Sequence, residues 1–75
     1  MESATIKERI EATVPDSEAE VNGDGSHFEA VVVSPAFEDV SKVKRQQMVY
    51  KAVNEAITSG ELHALTIQAH TPDEW

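Results

Sequence analysis

Residues 41–60, SKVKRQQMVYKAVNEAITSG, constrain the fold more than any other stretch, because no other segment of the 75-residue chain is long and periodic enough to organise it. Met48, Val49, Ala52, Val53, Ala56 and Ile57 recur at the spacing of one helix face, while Lys44, Gln47, Lys51, Asn54, Glu55 and Thr58 fall mostly on the other. The pattern predicts an amphipathic helix of about five turns. Ser41 is placed to cap its start, where a hydroxyl oxygen accepts from an otherwise unpaired backbone N–H, and Gly60 to close it in the left-handed conformation. Such a helix needs an apolar surface to lie on. Two stretches offer one: the β-branched run 27–33 and the strand-like 62–71.

The rest of the chain supplies the remaining elements. Ile6, Ile10 and Val14, four residues apart, predict a first helix over 3–14, with Thr5 and Glu8 matching a capping box and Pro15 ending it. A short strand at 19–21, a reversing turn at Gly23-Asp24-Gly25 and a strand at 27–33 read as a hairpin. Phe28, Ala30 and Val32 share one face of the second strand and Glu29, Val31 and Val33 the other, so that strand is apolar enough to be central. Ser34-Pro35 ends it, and Pro35 suits the first position of a short helical turn at 36–39. After the long helix, Leu65, Ile67 and Ala69 alternate with Ala64, Thr66 and Gln68, the period of a strand with one buried face. The order is αββααβ. Three strands with helices on one face make an α+β two-layer sandwich whose other face is free to meet water. Residues 1–75 read as a single domain, with no repeat, low-complexity segment or linker.

Composition narrows the functions open to such a chain. One thin core is the ceiling at this length, which leaves no room for a deep catalytic cleft. Six basic residues against fourteen acidic ones give a net charge of -8, which repels polyphosphate at long range. No cysteine is present, hence no disulfide, thiolate nucleophile or Cys-based metal site; any metal must be met by His, Asp or Glu. With no signal-like leader and no run of about 18 apolar residues, a soluble, cytoplasmic protein is expected.

Few residues suggest chemistry. His63 opens the last strand, where a side chain is held rigidly and still reaches solvent, yet one imidazole cannot hold a metal alone, and an ordinary half-buried strand residue explains it as well. His27 begins the second strand; the two histidines approach one another if both strands start at the same end of the sheet. His70, near the far end of its strand, reads as surface. Lys42, Lys44 and Arg45 gather half of the basic residues at the start of the long helix, where cations oppose the helix dipole. Either a solvated helix end or a face for phosphate or an acidic partner accounts for them. The carboxylate pairs Glu38-Asp39 and Asp73-Glu74 sit in polar surroundings with nothing to separate their pKa values, and no nucleophile motif is present, so no enzyme is expected.

Taken jointly, Gly23-Asp24-Gly25-Ser26-His27-Phe28, Val33-Ser34-Pro35-Ala36-Phe37-Glu38, KVKRQQMVY at 42–50, Leu62-His63-Ala64-Leu65 and Thr71-Pro72-Asp73-Glu74-Trp75 closely resemble the BolA-like family over nearly the whole chain. The resemblance implies an αββααβ fold similar to the type II KH domain. It further implies a monothiol CGFS-type glutaredoxin as partner, with glutathione, and a 2Fe-2S cluster held between the two proteins rather than in this chain alone. Family members use the His of the last-strand HA motif as a cluster ligand, so the resemblance assigns His63 that role. Many relatives carry an extra His or Cys between the first two strands; residues 21–26 contain neither, which leaves His27 as the nearest substitute for a second ligand. Gln46-Gln47, where many relatives have His after the Arg, resembles the IbaG/YrbA-like branch. On this reading Lys42, Lys44 and Arg45 form a docking face, and the isolated protein is a monomer or weak homodimer. A link of the family to transcriptional or stress regulation gives an alternative, nucleic-acid binding by the same three basic residues. The stretch at 38–42 has no glycine for a GXXG loop, so such binding would be weak and salt-sensitive.

Overall fold

The computed structural model of the chain describes residues 2–23, 27–60, 62 and 64–75. Helix α1 (Ser3–Thr13) leads into strand β1 (Glu18–Gly23), which pairs antiparallel with β2 (His27–Val33). A single 3-10 turn (Pro35–Phe37) precedes helix α2 (Lys42–Ser59), and β3 (Ala64–His70) follows. The sheet order is β1-β2-β3, and β3 runs parallel to β2. A parallel pair needs a long crossover. Helix α2, with 18 residues, supplies it.

Both marks on the long helix are realised. The Ser41 hydroxyl accepts from the Lys44 backbone N–H at 3.3 Å, and Gly60 takes the left-handed conformation at φ 84°. The α1 capping box is not realised. The helix already starts at Ser3, with Glu2 at the cap position and no side-chain capping bond, so Thr5 lies inside the first turn. Gly23, expected in the reversing turn, is instead the last residue of β1, opposite Phe28; the other turn residues, 24–26, lie outside the described residues. A methyl group at position 23 would overlap the Phe28 ring and the His27 carbonyl oxygen, so the close approach of that ring requires glycine.

The core lies between the helices and one face of the sheet. Ile6 and Ile10 of α1, Val49, Val53 and Ala56 of α2, and Phe28, Ala30, Val32, Leu65 and Ile67 of the sheet are buried together. Ile57, expected on the buried stripe of α2, is more than a third exposed.

Each edge of the sheet is closed by side chains from the helices. On β1, the Ala19 N–H donates to a Glu11 carboxylate oxygen at 3.0 Å, and Lys7 Nζ donates to the Ala19 carbonyl at 2.9 Å. On β3, the Tyr50 hydroxyl donates to the Leu65 carbonyl at 3.1 Å and an Arg45 Nη to the Ala69 carbonyl at 3.2 Å. Occupying edge groups in this way discourages pairing with a stray strand.

Candidate functional site

Strands β2 and β3 start at the same end of the sheet. Their parallel register sets His27 opposite Ala64, Phe28 opposite Leu65 and Ala30 opposite Ile67. Phe28 points into the core, so His27, one residue earlier, points to the opposite face, where its side chain is exposed. His63, the chain neighbour of Ala64, lies outside the described residues. Among the described residues no three His, Asp or Glu side chains group as a metal site.

The basic residues at the start of α2 divide into two kinds. Lys42 and Lys44 are exposed, as a docking face requires. Arg45 is not: it is only 7% exposed, and its guanidinium belongs to the fold. Its Nε donates to the Val40 carbonyl at 2.8 Å, and one Nη donates to both the Ala69 carbonyl and Glu74 Oε1, the latter at 2.7 Å. The same guanidinium lies 5.9 Å from the centre of the Phe37 ring, within reach of a cation–π attraction. Its expected place among the exposed contacts is thereby corrected. Arg45, Val49, Val53 and Ala56 are the buried residues of α2, spaced along one stripe. Its position four residues before Val49 is the signal in the sequence that marks it as inward-facing.

Glu74 also differs from expectation. Its carboxylate accepts from Arg45 and from the Thr71 backbone N–H at 2.9 Å. These contacts, the guanidinium first, hold the carboxyl well below its ordinary value of 4.5, at about 2. The pair Asp73-Glu74 is thus not two equivalent solvated acids. One of them closes the C-terminal turn onto α2. Close by, the buried Ser34 hydroxyl donates to the Pro15 carbonyl at 2.6 Å and accepts from the Ala36 N–H, while its backbone N–H donates to the His70 carbonyl. His70 is half-buried rather than bare surface, with its ring centre 5.4 Å from that of Trp75.

Among the described residues no helix is long and apolar enough to cross a membrane. A family model described as BolA-like protein matches residues 3–74. The chain is 40% identical over 75 residues to the acid stress protein IbaG of Escherichia coli (strain K12), an alignment spanning 100% of this chain and 89% of that protein. That likeness agrees with the branch expected from Gln46 and Gln47. The solved structure of a BolA protein homologue from Coxiella burnetii superposes with a TM-score of 0.88 at 39% identity, over 99% of this chain and 95% of that one. The DNA-binding transcriptional regulator BolA of Haemophilus influenzae is 42% identical over 53 residues, covering 71% of this chain and 50% of that protein.

Proposed function

This chain belongs to the BolA-like family, and from that membership we propose that it is an accessory protein of iron-sulfur cluster assembly or trafficking. It binds a monothiol CGFS-type glutaredoxin with glutathione and supplies histidine ligation to a bridging 2Fe-2S cluster, which is cargo rather than a resident cofactor. His63 is the proposed ligand and His27 the candidate for a second. The observation that supports this reading is the parallel register that starts β2 and β3 at the same end of the sheet, with His27 opposite Ala64. The absence of cysteine is consistent with thiolates arriving from the glutaredoxin and glutathione. Exchange of thiolate for imidazole raises the potential of such a cluster and makes its ligation sensitive to acid, since only the neutral ring binds. Lys42 and Lys44 are the proposed polar contacts of the docking face. No catalysis is proposed.

The test is to mix the protein with a CGFS-type glutaredoxin, glutathione, iron and sulfide and to compare visible absorption and circular dichroism with the glutaredoxin alone. A new spectrum, lost in His63→Ala, supports the reading; no complex on sizing and an unchanged spectrum contradict it.

The likeness to a DNA-binding regulator favours a second reading, nucleic-acid binding at the start of α2. With Arg45 engaged by Glu74, two exposed lysines there face a chain of net charge -8. Affinity falling steeply with salt and abolished by Lys42→Ala with Lys44→Ala is what that reading requires.

A further inference from the structure

The helices cover one face of the sheet; the opposite face has its own pattern. Glu18, Val33 and His70 form one row across the three strands, Glu20, Val31 and Gln68 the next, and Asn22, Glu29 and Thr66 a third. The described strand residues of this face include three glutamates and no lysine or arginine. Val31 and Val33 are half-buried and floor a groove of about 430 Å³, with Trp75 on one side and Glu18 and Glu20 on the other. Trp75 is 67% exposed, a large apolar surface left open to solvent. Lys7, at the rim, has its charge met by Glu11 at 2.7 Å.

An apolar floor, an aromatic wall and two carboxylates on one rim match a side chain with an aliphatic stem and a cationic head. We propose that this groove docks a basic amphipathic segment of a partner protein. One arginine or lysine of that segment lies along Val31 and Val33, its head between the Trp75 indole and the carboxylates of Glu18 and Glu20. Charge complementarity decides the occupant. A second copy of this chain would bring the same carboxylates against each other, and nucleic acid or an anionic lipid surface is repelled by a face whose described strand residues carry no lysine or arginine, whose rim lysine, Lys7, is already paired with Glu11, and by the net charge of -8. The surface is distinct from the histidine end, because Val33 lies six residues along β2 from His27, about 20 Å at the rise of a strand.

Trp75 is the only tryptophan, so its fluorescence reports on the groove directly. A synthetic amphipathic helix of roughly 18 residues, with leucine on one face and lysine and arginine on the other, is titrated into the protein. Its counterpart with glutamate in place of the cations is the control. A saturable change in Trp75 emission with the basic peptide only is expected, weakened between about 20 mM and about 500 mM salt, together with amide shifts at residues 18–20 and 31–33. The exposed pair Glu18→Gln with Glu20→Gln should lower affinity by about tenfold while leaving the far-ultraviolet circular dichroism unchanged. If that variant fails to fold, the salt dependence and the shift map of the unaltered chain decide the matter. Equal binding of the acidic peptide, shifts confined to α2, a Trp75 signal that follows protein concentration without peptide, or no change in Trp75 at all would each overturn the proposal.

Discussion

At one end of β2, the end of Val33, polar side chains tie together segments far apart in the chain: Ser34 reaches Pro15, and Arg45 joins Val40, Ala69 and Glu74. At the other end, where His27 stands opposite Ala64, the described contacts include backbone pairing, the fit of the Phe28 ring over Gly23 and one side-chain bond, from the Tyr50 hydroxyl to the Leu65 carbonyl. Among the described contacts the Val33 end draws more heavily on polar side chains. Where polar side chains tie segments together, as Ser34 and Arg45 do, they are spent on the fold.

The sharpest way to break this contrast is Arg45→Ala, which removes several hydrogen bonds from a buried cation and strands the carbonyls it served. It should cost about 3 kcal/mol in urea unfolding, whereas Lys44→Ala, one residue earlier and exposed, should stay within about 0.5 kcal/mol. Equal effects of the two would mean that Arg45 is a solvated helix-end residue after all. Next in size, Gly23→Ala forces a methyl group into the Phe28 ring and should cost about 2 kcal/mol, with the loss of stability accompanied by shifted Phe28 ring resonances. Removal of the Ser34 hydroxyl in Ser34→Ala leaves the Pro15 carbonyl and the Ala36 N–H without it and should cost about 1–2 kcal/mol.

A smaller effect is read by pH. Because the carboxyl of Glu74 is held below its ordinary value, its contribution is present in full above about pH 4.5 and is lost as pH falls toward about 2. Glu74→Gln should flatten the stability profile over that window and leave it unchanged in shape near neutrality. A profile as steep as that of the unaltered protein would show that the C-terminal turn does not couple to acid unfolding. Smallest of all, His27→Ala should move the urea midpoint by less than about 0.5 kcal/mol equivalent, since its side chain is exposed.

The same contrast explains how much could be read from the amino-acid order. The long helix was legible because its stripe and both caps are local: Val49, Val53 and Ala56 repeat within one element, and Ser41 and Gly60 sit at its ends. Strands β2 and β3 were legible from alternation, and their apolar faces required a shared core. Arg45 was misread because its partner Glu74 is 29 residues away, and local spacing alone made it one of three neighbouring cations. The α1 capping box failed for a related reason: Thr5 and Glu8 have the right spacing, but the cap position falls at Glu2, three residues before Thr5. At the histidine end, the pairing of strand starts depended on a parallel register that no single strand encodes. The conditional approach of His27 and His63 was therefore the most that the sequence allowed.

The measurement that bears most directly on the proposed role is the visible circular dichroism of a mixture with CGFS-type glutaredoxin, glutathione, iron and sulfide, made with the unaltered chain, His27→Ala and His63→Ala. The account predicts a mixed-complex spectrum distinct from that of the glutaredoxin alone, abolished or shifted toward the glutaredoxin's own by His63→Ala. An identical spectrum from His63→Ala, in a complex that still forms on sizing, would contradict the ligand assignment.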